Sequence, residues 1–345
     1  MTVTVAVDAN GADLGPAEVA AGAATAAAQG VHVLLFGPAE VFGEVPDGIE
    51  VVDAPVSIAK ARDPAAAVRS TPEASIVQAA NAVADGRAQA LVAGGSTGAA
   101  LAAGLFNIKR ASGIHRPALA IPIPVPGKPV TLVDVGANAE SRPEHLVQFA
   151  FMGAALAQVV LGVEQPRVAL LSNGEEAERG TALVQETHER LAKSPLRFVG
   201  NVEGMDLTSG VADVIVTDGF TGNVALKVAE GVSQTMLEAV RSAAMSSPRA
   251  KLGGVLLKPS LRGLRDQLDP EGPGGAYLLG LRRLGVVPHG RFTRFGWSQA
   301  ILLAARGVSG DVVGRTHAAL EAAGALRPKG PAAASGGLTT VPSQP

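Results

Sequence analysis

Residues 88–98 read Ala-Gln-Ala-Leu-Val-Ala-Gly-Gly-Ser-Thr-Gly. A short apolar run stops at a glycine pair, and an Ala-rich helical stretch follows to about Arg110. A strand, a tight turn and a helix are what that order produces. The unit recurs. Val3–Val7 precedes Asp8-Ala9-Asn10-Gly11, and Pro16 suits the first turn of a helix reaching about Gln29. Val31–Phe36 and the weaker Ile49–Val52 read as strands, and Ile76–Ala84 as a helix. Val130–Val133 leads into Asp134-Val135-Gly136-Ala137-Asn138, and Pro143 opens a helix toward Leu161. Val168–Leu171, a helix from about Arg179, Phe198–Gly200 and Val214–Thr217 continue the pattern. Asp218–Asn223 precedes a long helix ending near Ser246. Gly274–Leu281 and Val286–Gly290 are two further short strands before a helical C-terminal region. Strands alternating with helices predict an α/β fold, a mostly parallel sheet covered on both faces. Ligands of such sheets sit at the carboxyl ends of the strands. Each glycine-rich turn follows a strand, so all are expected to gather there.

Composition narrows the function. The chain has 345 residues, of which 47% are hydrophobic, 17% charged and 3% aromatic, so its core is built of Val, Leu and Ala. A net charge of −2 gives no global support for a nucleic-acid partner. The absence of cysteine excludes a disulfide framework, a thiolate metal site and a cysteine nucleophile. No signal peptide and no membrane span is expected, which points to the cytoplasm. Residues 1–326 read as a single domain and 327–345, rich in Pro, Ala, Gly and Ser, as a disordered tail.

Four turns carry the chemistry. Gly94-Gly95-Ser96-Thr97-Gly98 is either a tight turn with a capping hydroxyl or an anion cradle of N–H groups and hydroxyls. It is not a phosphate loop of the Gly-Lys-Ser/Thr kind, and Gly11 begins no dinucleotide fingerprint. In Asp218–Asn223, Asn223 and Lys227 share one helix face. They either reach toward the strand ends or leave Asp218 as a turn former and Lys227 in solvent. Asp134–Asn138 with Pro143-Glu144-His145 offers a His for proton transfer, or a structural His. Gly174-Glu175-Glu176 with Arg179 is the fourth, a charge cluster that is otherwise a solvated face. No spacing of His, Asp and Glu makes a metal site, and no cofactor is expected.

Taken in order, these turns resemble the bacterial phosphate acyltransferase (PlsX) family. The matching blocks are Ala6-Val7-Asp8-Ala9 with Gly11, Ser96-Thr97-Gly98-Ala99, Arg116-Pro117-Ala118-Leu119-Ala120 and Leu132–Asn138. Pro143–Ala150, Gly200-Asn201-Val202-Glu203-Gly204 and Thr217–Val224 follow. Leu256-Leu257-Lys258-Pro259, Gly274-Gly275-Ala276 and His289-Gly290 complete a match over about residues 3–320. The resemblance implies a three-layer α/β/α sandwich like that of phosphate acetyltransferases and isopropylmalate dehydrogenases, usually homodimeric. It implies conversion of fatty acyl-acyl carrier protein and inorganic phosphate to acyl phosphate. That product feeds a membrane glycerol-3-phosphate acyltransferase in phospholipid synthesis. The expected catalytic residues are Asn223, donating to the thioester oxygen, Arg179, holding phosphate where the family commonly carries Lys, and Lys227. Asp8, Gly11, Gly95, Ser96, Thr97, Gly98, Asn138, His145, Asp218, Gly219, Gly222 and His289 are the expected substrate-binding residues. Phosphate is its own nucleophile, which agrees with a chain lacking cysteine and a Gly-x-Ser-x-Gly elbow.

Some positions depart from the family pattern. Asn10 stands for Met, Ala12 for Gly, Leu14 for His, Ser96 for Asn and Ser112 for Lys. Arg291-Phe292-Thr293-Arg294-Phe295 replaces the usual Ser-Ser-Asp. These departures keep two other readings open, an acyl- or acetyl-coenzyme A phosphate transacylase and a non-catalytic membrane-associated paralogue. A helical hairpin is expected at about 228–269. Within it Leu252, Val255, Leu256, Leu261, Leu264 and Leu268 alternate with Arg249, Lys251, Lys258, Arg262 and Arg265. Gly253, Gly254 and Pro259 are expected to break the helix into two arms and a tip. The segment reads as a dimer-forming hairpin, as a peripheral contact with lipid headgroups or acidic carrier protein, or as both.

Overall fold

The computed structural model describes residues 2–123, 125, 129–267, 269 and 271–328. The expected tail from 329 onward, Leu268, and the side chains of Leu261, Leu264 and Arg265 lie outside the described residues. The chain opens with β1 (Thr4–Asp8), α1 (Pro16–Ala27), β2 (His32–Gly37), α2 (Ala39–Phe42) and β3 (Ile49–Asp53). Next come α3 (Pro64–Ser70), α4 (Ser75–Ala84), β4 (Ala90–Ala93) and α5 (Thr97–Ala103), which a π-helical turn (Gly104–Ile108) extends. β5 (Ala118–Ile123), β6 (Val130–Val133), α6 (Pro143–Val160), β7 (Val168–Leu171), α7 (Ala182–Ala192) and β8 (Phe198–Val202) follow. A 3-10 turn (Gly204–Thr208), β9 (Val214–Val216), α8 (Gly219–Met245) and α9 (Pro248–Gln267) come next. β10 (Ala276–Leu279), β11 (Leu284–Val287), α10 (Arg294–Ser309) and α11 (Val312–Ala322) end the series.

All strands join one 11-stranded sheet in the order β3-β2-β1-β4-β11-β10-β5-β6-β9-β7-β8. Alternation along each strand feeds two cores. Val5 and Val7 face one side with Val33 and Leu35, whereas Ala6, Leu34 and Phe36 face the other. The first face is covered by α1, α6, α10 and α11, the second by α3, α4 and α5. The result is the expected α/β/α sandwich.

The sheet is parallel within each half but not between halves. β10 runs antiparallel to both β11 and β5, and β5 runs antiparallel to β6. Those three reversals turn β6, β9, β7 and β8 against β1, β2, β3, β4 and β11. The expectation that every glycine-rich turn would gather at one end is therefore corrected. The turns after β1, β4 and β11 open at one end of the sheet, and those after β6, β7, β8 and β9 at the other.

β5 was not legible as a strand because Pro117 precedes it and Pro122 lies within it. Pro122 is tolerated because β10 pairs only with residues 118–120, so on that side no ladder bond is lost at 122. A second correction concerns α9, which runs unbroken through Gly253, Gly254 and Pro259. Gly254 serves close packing. A Cβ built there would lie 3.2 Å from Ala244 Cβ on α8. Pro259 leaves one carbonyl of the preceding turn without its helical donor, and its neighbourhood is exposed enough for water to supply one. Among the described residues no helix is long and apolar enough to cross a membrane.

Candidate functional site

At the end of the sheet where β6 and β9 finish, Asp134 is the organising group. It is fully buried and directly follows β6. Its Oδ1 accepts from the amides of Leu119 (3.3 Å), Gly136 (3.3 Å) and Ala137 (2.8 Å). Its Oδ2 accepts from the amide of Asn138 (3.0 Å) and from Asn138 Nδ2 (2.8 Å). Burial raises its pKa, and these donors oppose the rise. Asn138 also donates from Nδ2 to the oxygen of Pro117 at 2.7 Å. One carboxylate thus ties the start of β5 to the β6–α6 loop.

The first turn of α8 is seated on that loop. Gly219 donates its amide to the oxygen of Asn138 at 2.8 Å. Cβ atoms built on Gly219 and Gly222 would lie 2.7 Å from the Asn138 oxygen and 2.1 Å from the Asp134 oxygen, so only glycine fits. Asp218 caps the helix, accepting from the amides of Phe220 (3.0 Å) and Thr221 (2.9 Å), while Gly222 donates to the Asp218 oxygen. The first four amides of α8 are all engaged. An anion here must be held by side chains, not by the helix terminus. Asn223 is exposed, and its amide carbon lies 3.9 Å from the position of a Cβ on Gly136. Its side chain makes no hydrogen bond among the described residues.

Lys227 is one helical turn on and pairs with Glu230 at 2.7 Å. Arg179, in the loop after β7, pairs with Glu176 at 3.3 Å, both side chains being about two-thirds exposed (63% and 65%). Exposed pairs of this kind are worth about 0–1 kcal/mol, so an arriving anion competes for either cation at little cost. The Arg179 loop is anchored by Asn201, which donates from Nδ2 to the Glu176 oxygen at 2.8 Å. Its Oδ1 faces His188 Nδ1 at 2.9 Å. His145 lies at the start of α6, its Nδ1 accepting from the Arg142 amide at 3.2 Å. The neutral ring therefore carries its proton on Nε2. Burial lowers its pKa, as it does for His115, whose ring centroid lies 5.7 Å away.

The remaining expected residues collect at the opposite end. Asp8, 3% exposed, accepts from Ser75 Oγ at 2.6 Å. Desolvation lifts its carboxyl to about 6 against the pull of that hydrogen bond. Gly11 and Gly95 are there because two loops cross. Cβ atoms built on them would lie 2.0 Å from the Gly94 oxygen and 1.7 Å from the Gly11 oxygen. Ser96 accepts from the Ala99 amide at 3.2 Å and caps α5, while Thr97 and Gly98 are exposed beside it. His289 is exposed on the loop after β11, where a Cβ on Gly290 would approach Gly95 Cα at 2.9 Å.

Within this chain the expected site residues thus form two groups. Asn138, His145, Arg179, Asp218, Gly219, Gly222, Asn223 and Lys227 are at one end, and Asp8, Gly11, Gly95, Ser96, Thr97, Gly98 and His289 at the other. Asp134 and Asn201 were not among the candidates. An Asp leading into a run of small residues is the sequence sign of a carboxylate that caps its own turn, and it marks Asp134. Asn201 carries no comparable sign. Among the described residues no group of three or more His, Asp or Glu side chains is placed to hold a metal ion.

A family profile described as "Fatty acid synthesis protein" matches residues 3–315. A protein of Elusimicrobium minutum named phosphate acyltransferase is 41% identical over 318 residues, covering 90% of this chain and 93% of its own. A protein of Anoxybacillus flavithermus with the same name is 41% identical over 315 residues, covering 90% and 96%. Among solved structures, a phosphotransacetylase from Streptococcus pyogenes superposes with a TM-score of 0.63 at 16% identity, covering 89% of this chain and 94% of its own. A branched-chain phosphotransacylase from Enterococcus faecalis gives 0.56 at 17% identity, covering 89% and 100%. These two establish the shared fold.

Proposed function

The chain belongs to the phosphate acyltransferase family, and we propose that it moves a fatty acyl group from acyl carrier protein to inorganic phosphate, releasing acyl phosphate for phospholipid synthesis. A phosphate oxygen attacks the thioester carbonyl carbon, and the carbonyl electrons move onto oxygen. When they return, the carbon–sulfur bond breaks and the carrier thiol leaves with a proton. Phosphate is the nucleophile, so the protein has to position two reactants and stabilise one oxyanion. Asn223 donates to that oxyanion. Arg179 holds phosphate, and Lys227 adds positive charge one helical turn away. Asn138, Asp218, Gly219 and Gly222 fix the helix that carries Asn223. The proton on the leaving thiol comes from the attacking hydrogen phosphate, and His145, neutral with its proton on Nε2, is proposed as a substrate hydrogen-bond donor.

The observation carrying this reading is the seat of Asn223. It projects free from a helix whose first turn is locked to Asp134 and Asn138, which is the preorganisation an oxyanion donor needs. Gly11, Gly95, Ser96, Thr97, Gly98, Asp8 and His289 belong to the same reading only if a second protomer brings the opposite sheet end alongside. A homodimer is the proposed form. Val224, Val228, Val232, Met236 and Val240 run down α8 at four-residue spacing and are exposed, a row suited to burial against a second copy. Leu252, Val255, Leu256 and Leu257 on α9 are exposed as well and are proposed to contact the membrane, where a glycerol-3-phosphate acyltransferase takes up the product.

The testing experiment incubates the purified protein with palmitoyl-acyl carrier protein and phosphate and traps acyl phosphate with hydroxylamine. Phosphate-dependent hydroxamate is expected. Product from palmitoyl-coenzyme A alone would make the coenzyme A transacylase the correct assignment.

A further inference from the structure

A collar of cations surrounds the β6 end of the sheet, and no step of the acyl transfer uses it. Gln148, 1% exposed on α6, is its hub. Gln148 accepts from the His115 amide at 2.8 Å and donates to the oxygens of Gly113 (2.9 Å) and Ala325 (2.8 Å). The Arg327 amide donates to Gly113 at 2.8 Å, so Arg327 is drawn to the same spot. Arg110 donates from Nη1 to the His115 oxygen and forms a bridge with Leu281. Arg282, next in the chain, donates its amide to Lys109 at 2.9 Å. Lys109 is held at φ 71°, in a region a side chain occupies only under constraint. The Lys109–Arg110 and Leu281–Arg282 segments thus lie side by side.

The collar reaches the catalytic loop. Arg116 precedes Pro117, whose oxygen receives Asn138. The Arg142 amide donates to His145, whose ring centroid lies 5.7 Å from that of His115. Lys109, Arg110, Arg116, Arg142, Arg282 and Arg327 are all exposed. None forms an ion pair among the described residues. The nearby Glu144 is shared with Arg190, 3.9 Å away. In a molecule of net charge −2, this concentration of uncompensated positive charge is local. Charge of one sign beside a site steers and orients an oppositely charged macromolecule.

We propose that this collar is the docking surface for the acidic face of the acyl carrier protein, delivering its thioester to the β6–α8 end of the sheet. The proposal rests on the carrier-protein reading above. A protein is favoured over lipid as the occupant because the cations ring the strand ends where Asn138 and Asn223 lie. A thioester tethered to its carrier must reach those residues.

The test is a binding measurement, independent of turnover. Fluorescently labelled acyl carrier protein is titrated with the wild-type protein, with Arg282→Glu/Arg327→Glu, and with Lys193→Glu, exposed just past the end of α7 and outside both groups of site residues. Thermal unfolding checks that each is folded. The double variant is expected to weaken binding about tenfold or more at low salt and to flatten its salt dependence, while Lys193→Glu binds normally. Equal binding by the double variant, or no binding by the wild type, overturns the proposal. So does a double variant that keeps carrier binding but no longer floats with phosphatidylglycerol vesicles, which assigns the collar to lipid. Tight, collar-dependent binding without any hydroxamate product would retain the docking surface and reject the acyl transfer.

Discussion

The backbone oxygen of Asp134 occupies the space a side chain on Gly222 would need, since a Cβ built there falls 2.1 Å from it. The obstructing atom is backbone at the end of a buried strand and has little freedom to move. Gly222→Ala must therefore displace the first turn of α8 or the 134–138 loop. Overpacking of this kind costs about 1–3 kcal/mol. A shift of about 1 Å at Asn223 costs roughly a hundredfold in turnover. Denaturant midpoints and hydroxamate yield are expected to fall together. Gly204→Ala, where nothing lies within 4 Å, is the control that should change neither.

Asn223→Ala separates chemistry from folding. The side chain is exposed and bonds to nothing among the described residues, so stability should stay within about 0.5 kcal/mol of wild type. Loss of an oxyanion donor lowers kcat by about 100- to 1000-fold. The phosphate KM should move little, whereas Arg179→Ala should raise it with a smaller loss of kcat. Near-normal turnover by Asn223→Ala would remove Asn223 from the mechanism.

The elements were legible in the sequence because strand and helix periods are local properties, and the termini of α6, β6 and β7 fall within a residue or two of expectation. The direction of the strands was not. It depends on β5 and β10, whose pairing with each other joins segments distant in sequence, and Pro117 and Pro122 disguise the first. The glycine-rich turns read either as tight turns or as places where backbone N–H groups could approach a ligand. Whether a glycine admits a ligand or a neighbouring loop is a tertiary matter. At Gly11 and Gly95 the neighbour is another backbone. Asp134 was overlooked because its five donors come mostly from residues that look like turn filler.

Asp8 gives a pH signature. Its carboxyl titrates at about 6 in the folded chain, against an ordinary 3.8, because burial outweighs the Ser75 hydrogen bond. Between these values the folded protein keeps a proton that the unfolded chain has released. Stability therefore falls as pH rises from about 4 to 6, by about 3 kcal/mol from this group alone. Asp8→Asn keeps an acceptor for Ser75 and has no charge to bury. Denaturant midpoints at pH 4, 5, 6 and 7 should show a flatter profile for the variant, with the gain largest at pH 7. Asp134, also raised by burial, titrates in both proteins and cancels in the difference. Identical slopes would mean that Asp8 is not protonated in that window.

The α9 surface predicts how the protein meets a membrane. Leu256 and Leu257 are 76% and 57% exposed, and Arg249, Lys251, Lys258 and Arg262 are exposed on the same helix. Burying one leucine in lipid is worth about 1.5–3 kcal/mol, and each cation near an anionic surface about 1 kcal/mol. Leucine burial is insensitive to salt, whereas the cation contribution is screened. Leu256→Ser/Leu257→Ser should therefore abolish flotation with phosphatidylglycerol vesicles even at low salt. Lys251→Glu/Lys258→Glu should weaken it in a way that raised salt reproduces in the wild type. Neither change touches the buried core, so thermal unfolding and hydroxamate yield in solution should hold. Wild-type flotation by the serine variant would show that these leucines face a second protein surface instead of lipid. The oligomeric state of the same variant would then identify that surface, because loss of a dimer is the remaining consequence of removing them.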